Sequence, residues 1–191
     1  MRVDIDEPAV PVPGRHCGTC TLCCKLLAVP TLKKPTGKWC EHCDVAKGCR
    51  IYDQRPGECR QFTCGFLTLA QLSEAWRPST CKFVLLVVTA DKRLVAYIDP
   101  GYPNAWRIEP YYSQLKEWAR LAAAKRWQVM ACLGRRTTVI LPDRDVDLGL
   151  VAEDETILTG ERDGPLGVEL NAIKVKNNDP LAVRFRQNNR L

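Results

Sequence analysis

Between residues 16 and 65 the apolar positions follow neither the two-residue period of a strand nor the 3.6-residue period of a helix. Glycines recur through this stretch, and Pro30, Pro35 and Pro56 interrupt it. Such a pattern predicts loops rather than regular elements. A short helix is predicted next, from about Leu69 to Trp76: Thr68 can cap it, Gln71 can reach back to the cap, and Pro78 ends it. From Cys81 onward ordinary periodicity takes over. Residues 82–90 and 93–98 read as a hairpin of a buried strand and its neighbour. Pro110 suits the first turn of a helix running to about Arg126, with Leu115, Trp118, Ala119 and Ala122 on one face. Residues 127–133 and 137–141 read as a second hairpin across Gly134-Arg135-Arg136. Shorter strands are expected near Val146–Val151, Thr156–Thr159 and Val168–Val175.

Composition changes this picture at one place. Nine of the eleven cysteines fall between Cys17 and Cys64, inside the stretch that has no apolar period. Apolar residues are 46% of the chain and charged residues 26%, so a hydrophobic core is available, but not in the cysteine-rich part. The net charge of +6 is spread evenly, with 11 Lys/Arg against 8 Asp/Glu in residues 1–80 and 17 against 14 in residues 81–191. No segment reads as a polyanion-binding block, and nucleic acid is not an expected partner. The longest apolar run, Phe83 to Val88, falls far short of the ~18 residues of a spanning helix, and the acidic, proline-broken N-terminus does not read as an export signal. These features predict a soluble cytoplasmic protein, where clustered cysteines point to metal or redox chemistry rather than disulfides.

The spacing of the thiols carries the chemistry. Two cysteines separated by two residues can wrap one metal, because the turn between them aims both sulfurs and backbone N–H groups inward. Nineteen residues separate the Cys17/Cys20 pair from the Cys40/Cys43 pair, the arrangement of a tetrathiolate zinc site. Cys17, Cys20 and Cys23 equally repeat the spacing of bacterial iron–sulfur runs, although the following residue is Cys24 rather than the fourth cysteine of that run. Zinc and an iron–sulfur cluster both remain open. Neighbouring side chains diverge, so Cys24 is expected to serve a second site or bridge two metals, with Cys49, Cys59 and Cys64 as partners. Cys81 and Cys132 lie on predicted apolar strands and read as core residues.

The chain resembles the zinc- or iron-chelating proteins named for their C-x-x-C-x-x-C-C motif, the YkgJ-type cysteine-cluster proteins. The resemblance rests on Cys17, Cys20, Cys23 and Cys24, followed by Cys49, Ile51, Tyr52, Arg55, Pro56, Cys59, Arg60 and Phe62. It covers about a quarter of the chain and implies chelation by clustered cysteines; some members are labelled iron–sulfur oxidoreductases. The pair Cys40 and Cys43 is not needed by the motif.

The neighbours of the thiols have simpler readings. His42 can replace a thiolate or donate a hydrogen bond to one, and His16 also adjoins a cysteine. Arg50, Arg55 and Arg60 are expected to offset thiolate charge and tie down loops, with Tyr52 and Phe62 shielding the cluster. Asp143, Asp145 and Asp147 imitate a calcium loop, but Leu148 stands where glycine is required, and a half-buried strand is the better reading. With two histidines, three serines and no phosphate loop or nucleophile elbow, conventional catalytic equipment is thin. The balance is against an enzyme; if the protein is one, it is an iron–sulfur oxidoreductase.

The expected fold class is α+β: a loop-rich, metal-stabilised cysteine cluster at the N-terminus followed by a small antiparallel sheet with one main helix. Residues 1–15 form a flexible arm, 16–80 the metal-binding region, 81–180 the α+β region and 181–191 a frayed tail. The expected function is chelation of zinc or an iron–sulfur centre by Cys17, Cys20, Cys23, Cys24, Cys40, Cys43, Cys49, Cys59 and Cys64, in a structural or metal-carrier role with metal ions as the partners. The alternative is iron–sulfur electron transfer.

Overall fold

The computed structural model describes residues 10–164 and 167–188. In chain order the elements are α1 (Leu22–Leu26), β1 (Cys43–Asp44), β2 (Gly48–Cys49), α2 (Gly57–Gln61), α3 (Gly65–Thr68), α4 (Pro78–Cys81), β3 (Phe83–Val88), β4 (Arg93–Ile98), α5 (Tyr111–Ala124), β5 (Gln128–Leu133), β6 (Arg136–Ile140), β7 (Asp145–Leu150), β8 (Glu155–Gly164), β9 (Gly167–Lys176) and α6 (Pro180–Asn188). Strands β3 to β7 form one five-stranded sheet in sequence order. β1–β2 and β8–β9 are separate antiparallel hairpins. The fold is α+β.

The two predicted hairpins are present as β3–β4 and β5–β6. They are joined by a parallel pairing, with Leu94 opposite Val129 and Ala96 opposite Ala131, so the sheet is mixed rather than wholly antiparallel. The reason is the connection: α5 carries the chain back across the sheet between β4 and β5, and a crossover of that length returns a strand in the parallel sense. α5 buries Leu115, Trp118, Ala119 and Ala122, the face expected from its periodicity. Beneath it Trp76, Phe83, Tyr111 and Trp118 form an aromatic group with ring centroids 5.0–5.8 Å apart. The last hairpin is longer than expected, ten residues in each of β8 and β9.

Four local expectations give way. The helix predicted over Leu69–Trp76 is replaced by α3, a loop, a 3₁₀ turn at Glu74–Trp76 and α4. The cause is Arg15. Its guanidinium donates to the carbonyl oxygens of Phe66 (2.7 Å), Leu69 (2.8 Å), Ala70 (3.1 Å) and Leu72, taking the acceptors that a continuous helix would use. The same bonds, with Val12 N–H to the Leu67 carbonyl (2.7 Å), dock residues 10–15 against α3 where a flexible arm was expected; residues 1–9 lie outside the described residues. Residues 181–188 of the expected frayed tail belong to α6, entered through Asp179, whose carboxylate accepts from Leu181 N–H (2.8 Å), and Pro180 at the first helical position; residues 189–191 lie outside the described residues. Cys81 ends α4 instead of lying on a strand, yet it is buried as expected, its thiol donating to the Phe83 carbonyl (3.1 Å).

The core runs unbroken across residue 80. Leu22 and Leu26 of α1 and Phe66 and Leu67 of α3 belong to the same buried cluster as the sheet and α5. Gly65 lets α3 sit close: a Cβ there would meet Leu85 side-chain atoms at 3.1–3.2 Å. Lys25 on α1 forms a 2.6 Å ion pair with the buried Asp99 just after β4. The front of the cysteine-rich region is thus bolted to the sheet. From Pro35 to Thr63, by contrast, no residue is buried.

Candidate metal centre

The cysteines are delivered by short pieces of backbone that hold one another. Cys17 and Cys20 flank a turn closed by Cys20 N–H to the Cys17 carbonyl (2.9 Å), with Gly18 at φ +55° as that turn requires. Cys23 and Cys24 are consecutive residues of α1. Cys40 N–H donates to the Cys24 carbonyl (3.0 Å), and Cys43 N–H to the Cys40 carbonyl (3.0 Å). Cys43 then pairs across the small hairpin with Cys49, so their side chains share a face. The hairpin is pinned to the start of α1 by Ala46 N–H to the Thr21 hydroxyl (3.2 Å). Cys59 lies on α2, and Cys64 is the residue from which α3 starts.

These pieces enclose a cavity of about 650 Å³ whose wall includes Cys17, Cys20, Cys23, Cys24, Cys40, Cys49 and Cys59. Leu26, Val29, Ile51, Tyr52, Phe62 and Tyr97 supply apolar wall, and His42 and Arg55 supply polar wall. Tyr52 and Phe62 therefore line the space as expected, while Tyr97 is a contribution from β4 that no cysteine motif could reveal. A smaller chamber of about 60 Å³ adjoins it, lined by Cys17, Cys20, Cys23, Cys59 and Cys64 with Arg55 and Arg77. All nine cluster cysteines are free thiols, as are Cys81 and Cys132. Among the described residues no three His, Cys, Asp or Glu side chains stand as a ready-made cage for an ion. The donor set fits a soft metal by its chemistry, not by a closed geometry.

The electrostatics are those of crowded, partly buried thiols. Burial, then the neighbouring Cys20, pushes the Cys17 thiol up. Hydrogen bonding to Cys23, burial and the charge of Cys23 push Cys24 up far beyond the usual thiol range. Cys43 and Cys64 are each pushed up to about 11, chiefly by burial and next by Cys24 for Cys43. Burial followed by Cys24, Cys40 and Cys49 raises Cys59. In these five the thiolate is disfavoured by lost water and by its neighbours, the two penalties that a bound cation removes.

The positive charges nearest the thiols are not all those expected. Arg50 and Arg60 donate to the carbonyls of Glu41 and of Arg55 (2.6 Å for the latter), which ties loops down. Arg55 stacks over Tyr52 at 3.6 Å and lines both spaces. Arg77 was not anticipated. It lies over the Phe66 ring at 4.6 Å and donates to the carbonyls of His16 (3.1 Å) and Cys17 (3.3 Å), holding the first cysteine turn from outside. Lys34 was missed as well. It is 7% exposed, and its ammonium caps the end of α1 through the Lys25 (2.9 Å) and Leu27 carbonyls. Burial lowers its pKa, and the charges of Cys24, Cys40, Cys23 and Cys59 oppose that shift. Nothing in the local sequence separates Lys34 from Lys33 beside it; burial alone does. His42 lines the cavity with Nε2 3.5 Å from Glu41, whereas His16 Nδ1 stands 3.3 Å from the Gly14 carbonyl, on neither wall.

Away from the cluster, Asp145 faces Arg107 (2.8 Å), Lys116 (3.0 Å) and the Tyr112 hydroxyl (3.1 Å), and Asp147 faces Arg136. The calcium-like carboxylates are thus committed to cations of the chain. Cys132 is buried on β5 beside the Thr137 hydroxyl (3.6 Å). Among the described residues no helix is long and apolar enough to cross a membrane. No family model, curated protein or solved structure matches the chain.

Proposed function

We propose that this protein is a cytoplasmic metal-binding protein that chelates zinc or an iron–sulfur centre through its clustered cysteines, in a structural or metal-carrier role. One observation carries the reading: seven cysteines from five successive segments line a single cavity. Inert core thiols are enclosed one at a time in apolar packing, as Cys81 and Cys132 are. Here they share one open space, where free thiolates repel one another and a soft divalent ion relieves the repulsion. A bound metal would supply charge neutralisation and a cross-link; the chain's own residues supply the thiols, the Lys34 and Arg55 charges and the apolar shield.

The size of the cavity favours a second reading. A space of about 650 Å³ has the dimensions of a small-molecule pocket rather than a single-ion site. An iron–sulfur cluster acting in electron transfer uses such a space better than one zinc ion. Elemental analysis and visible absorption of protein purified without oxygen separate the two. Zinc with no visible absorption supports the first reading, and iron with sulfide, a brown colour and reversible bleaching on reduction supports the second. Protein that carries neither and takes up neither on reconstitution would remove both.

A further inference from the structure

Spacing along the chain pairs Cys17 and Cys20 with Cys40 and Cys43, and leaves Cys64 to a second set with Cys24. The fold sorts them differently. We infer that the cluster is two four-thiol centres meeting on α1, one formed by Cys17, Cys20, Cys23 and Cys64, the other by Cys24, Cys40, Cys43 and Cys49. The inference rests on the metal-binding reading above and gives it a ligand assignment.

Three observations carry the division. The first four thiols all line the chamber of about 60 Å³, whereas neither Cys40 nor Cys43 reaches it. The second four are linked in series by backbone: Cys40 to Cys24, Cys43 to Cys40, then Cys43 across the hairpin to Cys49. Finally, consecutive residues of a helix point about 100° apart, as 3.6 residues per turn dictates. Cys23 lines the chamber and Cys24 does not, while the Cys24 thiol bonds those of both Cys23 and Cys43, so the two sets touch along α1. Each set has its own cation, Arg77 at the Cys17 turn and Lys34 at the end of α1. Cys17, Cys20, Cys23 and Cys59 line both spaces and Cys64 the chamber alone; Cys59, on α2 and under the charges of Cys24, Cys40 and Cys49, stands between the sets as the ninth thiol. At about 60 Å³ against about 650 Å³ for the main cavity, the chamber is of a size suited to a single ion. Ion binding draws each set inward through rotation about χ1, the freedom that free thiols retain.

The test uses cobalt(II) added without oxygen to the metal-free full-length protein, with cobalt per chain counted by elemental analysis and thiolate coordination followed by absorption. Wild type should hold two ions, and Cys64→Ser and Cys40→Ser one each. Two double variants then discriminate. Cys17→Ser with Cys64→Ser should still hold one ion, and Cys17→Ser with Cys40→Ser none; pairing by spacing gives the reverse. Alkylation of wild type at one cobalt per chain, read by mass spectrometry, avoids dependence on variant folding and should protect one set of four together. A protected set that mixes Cys17 with Cys43 overturns the division and leaves metal binding intact. So does a wild type with one ion, or a single variant that loses all metal, since either means one continuous centre. A wild type that takes up no cobalt overturns the metal-binding reading and this inference with it.

Discussion

At the scale of single residues, the thiols were legible and their supporting charges were not. Cysteines announce themselves by spacing, because a turn of two residues is a local requirement. Lys34 and Arg77 act through carbonyl oxygens distant in sequence or belonging to an unremarkable turn, so no pattern marks them. Lys34 yields a direct prediction. Lys34→Met keeps much of the buried stem but removes the ammonium beside Cys24, Cys40, Cys23 and Cys59. Groups behind the ligands commonly tune metal affinity by about 10- to 100-fold, and a loss in that range is expected. Competition with a chelator measures it. A fall in unfolding temperature with unchanged affinity would show that Lys34 only caps α1. Cys132 supplies the contrast: Cys132→Ser should leave metal content intact, because its thiol lies against Thr137 on the sheet, whereas Cys20→Ser should lower it. Equal losses in the two would break the division between core and ligand thiols.

At the scale of elements, the sequence was readable wherever a segment buries its own face. β3, β4, α5, β5 and β6 all stand where periodicity puts them, since each pays its ordering cost with its own apolar stripe. The misread helix shows the opposite case. Leu67, Leu69, Leu72 and Trp76 are all buried, but Arg15, more than fifty residues earlier, takes the carbonyls and the segment winds differently. The parallel β4–β5 pairing was equally hidden, because hairpin signals do not report what a crossover helix does between them. α3 offers a test of how tightly the cluster is fixed to the sheet. Gly65→Ala would place a methyl 3.1 Å from Leu85 Cδ2 and 3.2 Å from its Cβ. Overpacking of this kind costs about 1–3 kcal/mol, so the unfolding temperature should fall. Because Cys64 is the preceding residue, metal content should fall too; a variant as stable as wild type would mean that α3 is not held as closely as its packing indicates.

At the scale of the whole molecule, burial holds one part of the chain and leaves another without it. α1 and α3 share the core of the sheet through Leu22, Leu26, Phe66 and Leu67, and the Lys25–Asp99 pair adds a polar tie. Residues 35–63 have no buried residue, yet they carry Cys40, Cys43, Cys49 and Cys59. A segment with exposed backbone bonds and no apolar burial lies at the low end of local stability, so its order must come from elsewhere. If thiolate–metal bonds supply it, removing the metal should act regionally. Hydrogen exchange followed by mass spectrometry should show protection lost across residues 35–63 on chelation. Protection should persist in α1, α3 and the five-stranded sheet, whose core needs no ion. Structural zinc contributes about 10–16 kcal/mol to small finger peptides, ample to order a segment of this length. Unchanged protection across 35–63 in verified metal-free protein would mean that the cavity holds its shape without metal. Loss across β3–β6 as well would mean that the common core depends on the ion after all, and that α1 transmits the loss through Leu22 and Leu26.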